Sequence, residues 1–129
     1  MTTVVAALLE RDGRVLIAQR RPDGQHPLKW EFPGGKVEQG ETPHAAVVRE
    51  LREELAIEVE SASEVARYEY QYPGRPPILL LFYRVERFAG EPRNLVFERI
   101  EWTPRASLTK YDFLDGDRDF IAKLADAAQ

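Results

Sequence analysis

Three glutamates are spaced so that one side of a helix can carry all their carboxylates. Glu50, Glu53 and Glu54 stand at positions i, i+3 and i+4, which are neighbours on a helix surface. Like charges at this spacing repel one another, and carboxylate oxygens are the ligands that hard divalent cations prefer. One interpretation is a solvated helix face. The glycine-rich bend at Gly34-Gly35 favours the other, a site for Mg²⁺ or Mn²⁺.

The segment over 35–57 reproduces the signature of the Nudix family. That signature is Gly, five residues, Glu, seven residues, Arg-Glu, an aliphatic residue, any residue, Glu-Glu, any residue, Gly and an aliphatic residue. The sequence departs from it once, at Ala56, where the family has the glycine that favours a left-handed helix end. Ala56 is expected to strain or reshape the helix exit without removing a ligand. The segment over 28–38 is similar to the MutT-type branch, and weaker likeness covers nearly the whole chain.

This resemblance implies roles for the residues of the signature. The expected metal ligands are the carbonyl of Gly35 and the carboxylates of Glu50, Glu53 and Glu54. Glu50 or Glu53 is also expected to take the proton from the attacking water. Arg49 is expected to serve catalysis by orienting a neighbouring glutamate, and Glu41 to support that arrangement.

MutT-type enzymes often add a metal-binding glutamate from a loop outside the signature. A gapless alignment through the strand ending at Trp102 places Val96 at that position. Glu98 lies two residues away and is the better candidate ligand if the loop shifts. The alternative is that Glu98 is an exposed charge at the end of a strand.

Four residues outside the signature stand where MutT-type proteins contact the nucleotide. Phe32 and Tyr72 resemble the aromatic residues that flank the base, although both also suit a hydrophobic core. Arg21 resembles an arginine that contacts the base or sugar, and is otherwise a surface residue. Asp117 stands where relatives acting on oxidised guanine have Asn and relatives acting on cytosine nucleotides have Asp; it also suits the N-cap of a helix. His26 and His44 lack metal-type spacing and are expected to be exposed.

The resemblance implies a Mg²⁺-dependent hydrolase that converts a nucleoside triphosphate to the monophosphate and pyrophosphate. An 8-oxo-dGTP-type nucleotide is the preferred substrate, and CTP or a modified dCTP is the alternative. Hydrolysis of ADP-ribose or dinucleoside polyphosphates, and a non-catalytic module that only binds nucleotides, remain further possibilities.

The predicted elements alternate between strands and helices. An Asp12-Gly13 turn predicts a hairpin, and Thr42-Pro43 predicts a helix to about Leu55 whose buried face carries Val48 and Leu51. Further strands are predicted over 57–60, 65–72, 78–85 and 99–103, and a terminal helix that buries Phe120, Ile121 and Leu124. This order predicts a single α/β (α+β) domain over 1–129, a Nudix fold with a mixed sheet between helices.

Composition limits the partners of the chain. A net charge of −4 argues against binding to a nucleic-acid polymer, so a single nucleotide is the expected partner. The sequence has no cysteine, which excludes thiol chemistry and fits the cytoplasm, and no apolar run long enough for a membrane span. Whether the protein is a monomer or a homodimer is left open.

Overall fold

The chain opens with the hairpin that the Asp12-Gly13 pair predicts. Both residues have positive φ, 54° and 76°, which matches the two-residue turns that join twisted strands. The computed structural model describes residues 1–127. Its strands and helices are β1 (Thr2–Arg11), β2 (Arg14–Gln19), β3 (Trp30–Glu31), β4 (Gly34–Lys36), α1 (Pro43–Leu55), β5 (Glu58–Tyr70), β6 (Ile78–Ala89), β7 (Arg99–Pro104) and α2 (Arg118–Ala127), with 3₁₀ helices at Arg105–Lys110 and Asp115–Asp117.

The strands form a mixed sheet, as the element order predicts. β1 lies parallel to β6, with Thr2 opposite Ile78 and Leu9 opposite Val85. β4 pairs antiparallel with β1, and β5 pairs antiparallel with β6. β2 pairs with the end of β1 and carries β3 and β7 on its own edges. The continuous apolar run of β1 is therefore central, and all of its residues from Val5 to Leu9 are buried.

Alternating residues of β1 and β6 point to opposite faces of the sheet and form two cores. On one face Leu9 and Leu81 pack with Leu51 of α1. On the other face Leu8 and Phe82 pack with α2, which buries Phe120, Ile121 and Leu124 as predicted. The sheet therefore lies between the two helices. Neither helix within residues 1–127 is long and apolar enough to cross a bilayer.

Several predicted element boundaries were wrong. The two strands predicted over 57–60 and 65–72 are one strand, β5, whose pairing with β6 shifts register at three places. Each bulge interrupts the alternation of inward and outward side chains, so the sequence pattern divides this one strand into two. The short strands β3 and β4 were missed, because two or three residues around Pro33 show no periodicity. The buried face of α1 includes Ala46 and Val47, whereas Val48 is only partly buried.

Candidate active site

Helix α1 carries the three glutamates, and local signals set both of its ends. Thr42 caps its start by accepting a hydrogen bond from the N–H of Ala45 at 3.1 Å, and Pro43 occupies the first turn. Ala56 ends it in the left-handed conformation, with φ 58° and ψ 35°, and donates its N–H to the carbonyl of Arg52. The helix exit thus keeps the conformation that favours glycine, and alanine pays a steric penalty there.

Arg49 links helix α1 to the segment that precedes it in the chain. Its Nε and Nη2 donate to the two carboxylate oxygens of Glu41 at 2.7 and 3.0 Å. Nη1 donates to Glu50 at 2.9 Å, and Nη2 also donates to the carbonyl of Lys36 at 3.0 Å. The bonds from Arg49 lower the pKa of Glu41 to about 2, so this carboxylate stays ionised. Arg49 therefore contacts Glu50 and Glu41 at the same time.

Two glycines let the chain after β3 lie directly against the glutamates. The N–H of Gly34 donates to Glu54 at 3.0 Å. A Cβ atom on Gly35 would stand 2.5 Å from a carboxylate oxygen of Glu50, which is closer than real Cβ atoms come to any neighbour. A side chain on Gly35 would therefore displace the Glu50 carboxylate from its place beside β4, where the carbonyl of Gly35 was expected to be a ligand.

Glu50 and Glu54 form a close carboxyl pair within hydrogen-bonding reach. Burial, together with the charges of Glu50 and Glu31, raises the pKa of Glu54 to about 9. Burial also raises the pKa of Glu50, although Arg49 opposes the shift. Glu53 differs, because its side chain is 58% exposed and lies 3.4 Å from Arg49.

The donor set suits a hard divalent cation, although the metal-ligand shell is incomplete. Over residues 1–127 no group of three or more His, Cys, Asp or Glu side chains is arranged to hold a metal ion. The Glu50–Glu54 pair nevertheless offers oxygen ligands at a place where two carboxylates cannot both ionise cheaply without a cation. The residues present therefore fit a divalent ion.

A cavity of about 420 Å³ connects Glu54 to the predicted base-binding residues. Glu54 and Gly35 line one part of it, and Phe32, Tyr72 and Asp117 line another. Its remaining lining includes Arg20, His26, Arg75 and Leu114. Segments from both ends and the middle of the chain therefore contribute to one cavity.

The three base-site candidates differ in their surroundings. Phe32 is 3% exposed and packs on Phe82, so it serves the core as well as the cavity. Tyr72 is half-buried and its hydroxyl accepts a hydrogen bond from the N–H of Gly116 at 3.0 Å. Asp117 is buried at 4% exposure and lies near the backbone of Phe32. Burial raises its pKa well above the usual range of an aspartate.

Arg21 and Glu98 lie outside this cavity, and neither Glu50 nor Glu53 is among the residues that line it. Arg21 is 59% exposed, is 3.7 Å from Asp23, and lines a second cavity of about 280 Å³ that also reaches Glu54. Val96 lines this second cavity too, whereas Glu98 is exposed and lines neither of the two. The N–H of Glu98 donates to the carbonyl of Gln19, which ties its backbone to the end of β2.

Sequence reasoning missed Glu31 and Arg20 and misjudged His26. Glu31 lines both cavities and forms an ion pair with Arg20 at 3.0 Å. Burial raises the pKa of Glu31. Its burial could not be predicted from its neighbours Trp30 and Phe32, because successive side chains of a strand face opposite sides of the sheet. The expectation of an exposed His26 was wrong, since it is half-buried with its ring 5.0 Å from that of Tyr72. His44 is exposed, as expected.

Comparison with known proteins assigns the family. The family model described as the NUDIX domain matches residues 1–124. The chain belongs to the NUDIX family. This Nudix chain is 40% identical over 120 residues to the 8-oxo-dGTP diphosphatase of Escherichia coli K12, covering 93% of the chain and 92% of that protein. It is 38% identical over 117 residues to the CTP pyrophosphohydrolase of the same organism, covering 91% of the chain and 86% of that protein.

Solved structures agree with this assignment. The solution structure of the E. coli ORF135 protein superposes on the Nudix chain with a TM-score of 0.84 at 37% identity, covering 95% of this chain and 86% of the other. The crystal structure of MutT NUDIX hydrolase from Burkholderia pseudomallei gives a TM-score of 0.84 at 27% identity, covering 94% and 95%. The predicted fold class is confirmed. The protein is a Nudix hydrolase acting on phosphoric anhydrides, and this family generally needs a divalent metal.

Proposed function

We propose that this Nudix hydrolase converts nucleoside triphosphates to the monophosphate and pyrophosphate, with Mg²⁺ as its ion and 8-oxo-dGTP-type nucleotides preferred. The observation that carries the proposal is the single cavity that joins Glu54 and Gly35 to Tyr72 and Asp117. A nucleotide needs a phosphate end with oxygen ligands for a cation and a base end with aromatic and hydrogen-bonding groups, and the cavity offers both.

The proposed Mg²⁺ ligands are the carboxylates of Glu50, Glu53 and Glu54 with the carbonyl of Gly35. When bound, the ion supplies charge neutralisation for the triphosphate and polarises the phosphoryl group that is attacked. Glu50 or Glu53 takes the proton from the attacking water. Glu98 joins this set only with a shift of the loop before β7, because its backbone is tied to Gln19.

Arg49 acts by holding the proton acceptor in place. Its guanidinium donates to Glu41 through two bonds and to Glu50 through a third, so rotation of the Glu50 side chain is restricted. Glu41 stays ionised in this arrangement and keeps the guanidinium fixed. We therefore propose Arg49 and Glu41 as the groups that position the catalytic carboxylate.

Asp117 is the proposed reader of the base, with Phe32 and Tyr72 packing around it. A buried carboxyl that holds its proton presents one donor and one acceptor, as an asparagine amide does. This pair matches the O6 acceptor and the N1–H donor of a guanine-type base. Arg21 would contact the sugar or base only by turning inward from the second cavity.

CTP or a modified dCTP is the second candidate substrate. A carboxyl oxygen of Asp117 can also accept a hydrogen bond from the exocyclic amino group of cytosine. The 38% identity to the E. coli CTP pyrophosphohydrolase also supports this candidate. Since free nucleotides of either kind belong to the cytoplasmic pool, we propose the cytoplasm as the site of action.

A substrate panel with Mg²⁺ tests both candidates. We expect kcat/KM to be highest for 8-oxo-dGTP when it is compared with dGTP, CTP, 5-methyl-dCTP and ADP-ribose. Equal values for 8-oxo-dGTP and dGTP would remove the preference for the oxidised base, and a maximum at CTP or 5-methyl-dCTP would favour the second candidate. Turnover of ADP-ribose alone would refute the triphosphate assignment, and turnover of no substrate would indicate a non-catalytic module.

Glu50→Gln tests the site itself. We expect pyrophosphate release to fall by about a thousandfold or more, because the variant loses a metal-ligating and proton-accepting oxygen together. The exposed Glu69→Gln on β5 is the matched control and should retain wild-type turnover. If Glu50→Gln shows a native circular dichroism spectrum and near-normal turnover, the assignment of Glu50 to the metal and proton-accepting site is refuted.

A further inference from the structure

The last turn of helix α1 ends against a segment that is distant from it in sequence. The N–H of Arg93 donates to the carbonyl of Leu55 at 2.8 Å, and the N–H of Leu95 donates to the carbonyl of Glu54 at 3.1 Å. Carbonyls in the last turn of a helix have no partner within the helix itself. The segment before β7 therefore supplies partners for two of them, and one belongs to a proposed metal ligand.

Asn94 holds this segment in its folded shape. Its side-chain Nδ2 donates to the carbonyl of Phe97 at 2.9 Å, and its Oδ1 accepts from the N–H of Phe97 at 2.8 Å. Both bonds are partly buried. One side chain thus closes the chain over 94–97 into a turn, and Leu95, whose N–H reaches α1, lies inside that turn.

The far end of the 94–97 turn is anchored in the protein. Phe97 is 8% exposed and packs in the same core as Leu51 and Leu55 of α1. Immediately after the turn, the N–H of Glu98 donates to the carbonyl of Gln19 at 2.9 Å. The side chain of Asn94 therefore joins a fixed point in the core to the backbone that contacts the end of α1.

The 94–97 turn also borders the side chain of Glu54. Val96 and Phe97 line the second cavity together with Glu54. The carboxylate of Glu54 accepts a hydrogen bond from the N–H of Gly34 at 3.0 Å, while its carbonyl accepts from Leu95. The main chain and the side chain of Glu54 are therefore held by two different segments.

We propose that Asn94 is a positioning residue that keeps Glu54 and the last turn of α1 in place for metal binding and hydrolysis. This inference rests on the proposed function, since it needs Glu54 to be a metal ligand. Asn94 acts through the 94–97 turn, because its own amide is bonded to Phe97. Groups that support metal ligands from behind commonly change metal affinity or activity by tenfold or more when they are removed.

Asn94→Ala removes both bonds to Phe97. We expect the Kd for Mn²⁺ of the nucleotide-free protein, measured by calorimetry, to rise about tenfold. With the best nucleoside triphosphate, kcat should fall about tenfold while KM changes less than about threefold. Asn94→Asp should show smaller changes, because its carboxylate still accepts from Phe97 and only the donated bond is lost.

Leu95→Pro tests the link from the other side. Proline has no N–H, so this variant loses the bond to the carbonyl of Glu54 while Asn94 is unchanged. It should reproduce the losses of Asn94→Ala in Mn²⁺ affinity and kcat. Glu91→Ala is the control, because it breaks a two-bond ion pair with Arg11 on β1 in the same connection and should keep the wild-type values.

Wild-type Mn²⁺ affinity and kcat in a natively folded Asn94→Ala, or an equal loss in Glu91→Ala, would overturn the proposal. If circular dichroism shows that Leu95→Pro does not fold, the two Asn94 variants decide the question. A wild-type protein that binds no Mn²⁺ would instead refute the proposed ligands. Amide hydrogen exchange would then still test the link, since the N–H of Leu95 should exchange faster in Asn94→Ala, and unchanged protection would contradict it.

Discussion

Glu54→Gln should make the metal-free protein less sensitive to rising pH. Glu54 accepts a hydrogen bond from Gly34 and lies within hydrogen-bonding reach of Glu50. Glutamine preserves both contacts, because its oxygen accepts from Gly34 and its NH₂ group donates to Glu50 in place of the acid proton. The variant therefore imitates the protonated carboxyl without its titration.

The magnitude follows from the pKa of Glu54, which burial raises from 4.5 to about 9. The folded protein keeps a proton on this group that the unfolded chain releases, so stability falls as pH rises between these two values. From about pH 5 to about pH 8 the full effect is about 4 kcal/mol, at 1.36 kcal/mol per pH unit. The carboxyl is partly open to the cavity, where water weakens the effect, so we expect about 2–4 kcal/mol.

Urea unfolding followed by the fluorescence of the buried Trp30 measures this difference. In EDTA, raising the pH from about 5 to about 8 should lower the unfolding free energy of Glu54→Gln less than that of the wild type, by about 2–4 kcal/mol. Saturating MgCl₂ should stabilise the wild type at about pH 8 and affect the variant less, because the ion needs the ionised carboxylate. Glu53→Gln, at a 58% exposed side chain, should follow the wild-type pH dependence. Parallel losses of stability in wild type and Glu54→Gln would refute the reasoning.

Three further substitutions test single features. Ala56→Gly should raise the unfolding free energy by about 1 kcal/mol, because glycine adopts the left-handed end of α1 without a Cβ penalty. Ala45→Gly, inside that helix, should lower the unfolding free energy. Equal losses of stability in urea unfolding of the two variants would contradict this prediction. Tyr68→Phe should keep or raise the melting temperature, because Tyr68 Oη is buried without a hydrogen-bond partner among residues 1–127, and a clear decrease would show that the hydroxyl is stabilising. Arg49→Lys should lower kcat about tenfold or more while its circular dichroism spectrum stays native, because lysine cannot hold Glu41 through two bonds. A wild-type kcat in this variant would exclude a positioning role for Arg49.

The features that sequence predicted correctly are those set by neighbouring residues. The Asp12-Gly13 turn, the Thr42 cap and the glutamates on α1 depend on contacts within a few residues along the chain. The helical spacing alone places Glu50 and Glu54 one turn apart. The spacing of the whole signature also predicted the Nudix fold, and the family match over residues 1–124 confirmed it.

Tertiary structure decided how the glutamates differ and what they face. Glu53 and Glu54 are adjacent in sequence, but only Glu54 turns toward Gly34 and the cavity, so burial shifts its pKa while Glu53 stays exposed. Tertiary structure also decided the surroundings of His26, a loop residue that packs on the ring of Tyr72, which is distant from it in sequence. Burial depends on which distant segments cover a side chain, and sequence spacing carries little information about that. The sequence by itself therefore determined the family and the set of reactive groups, and packing of the sheet against its loops determined their charge states and their neighbours in the cavity.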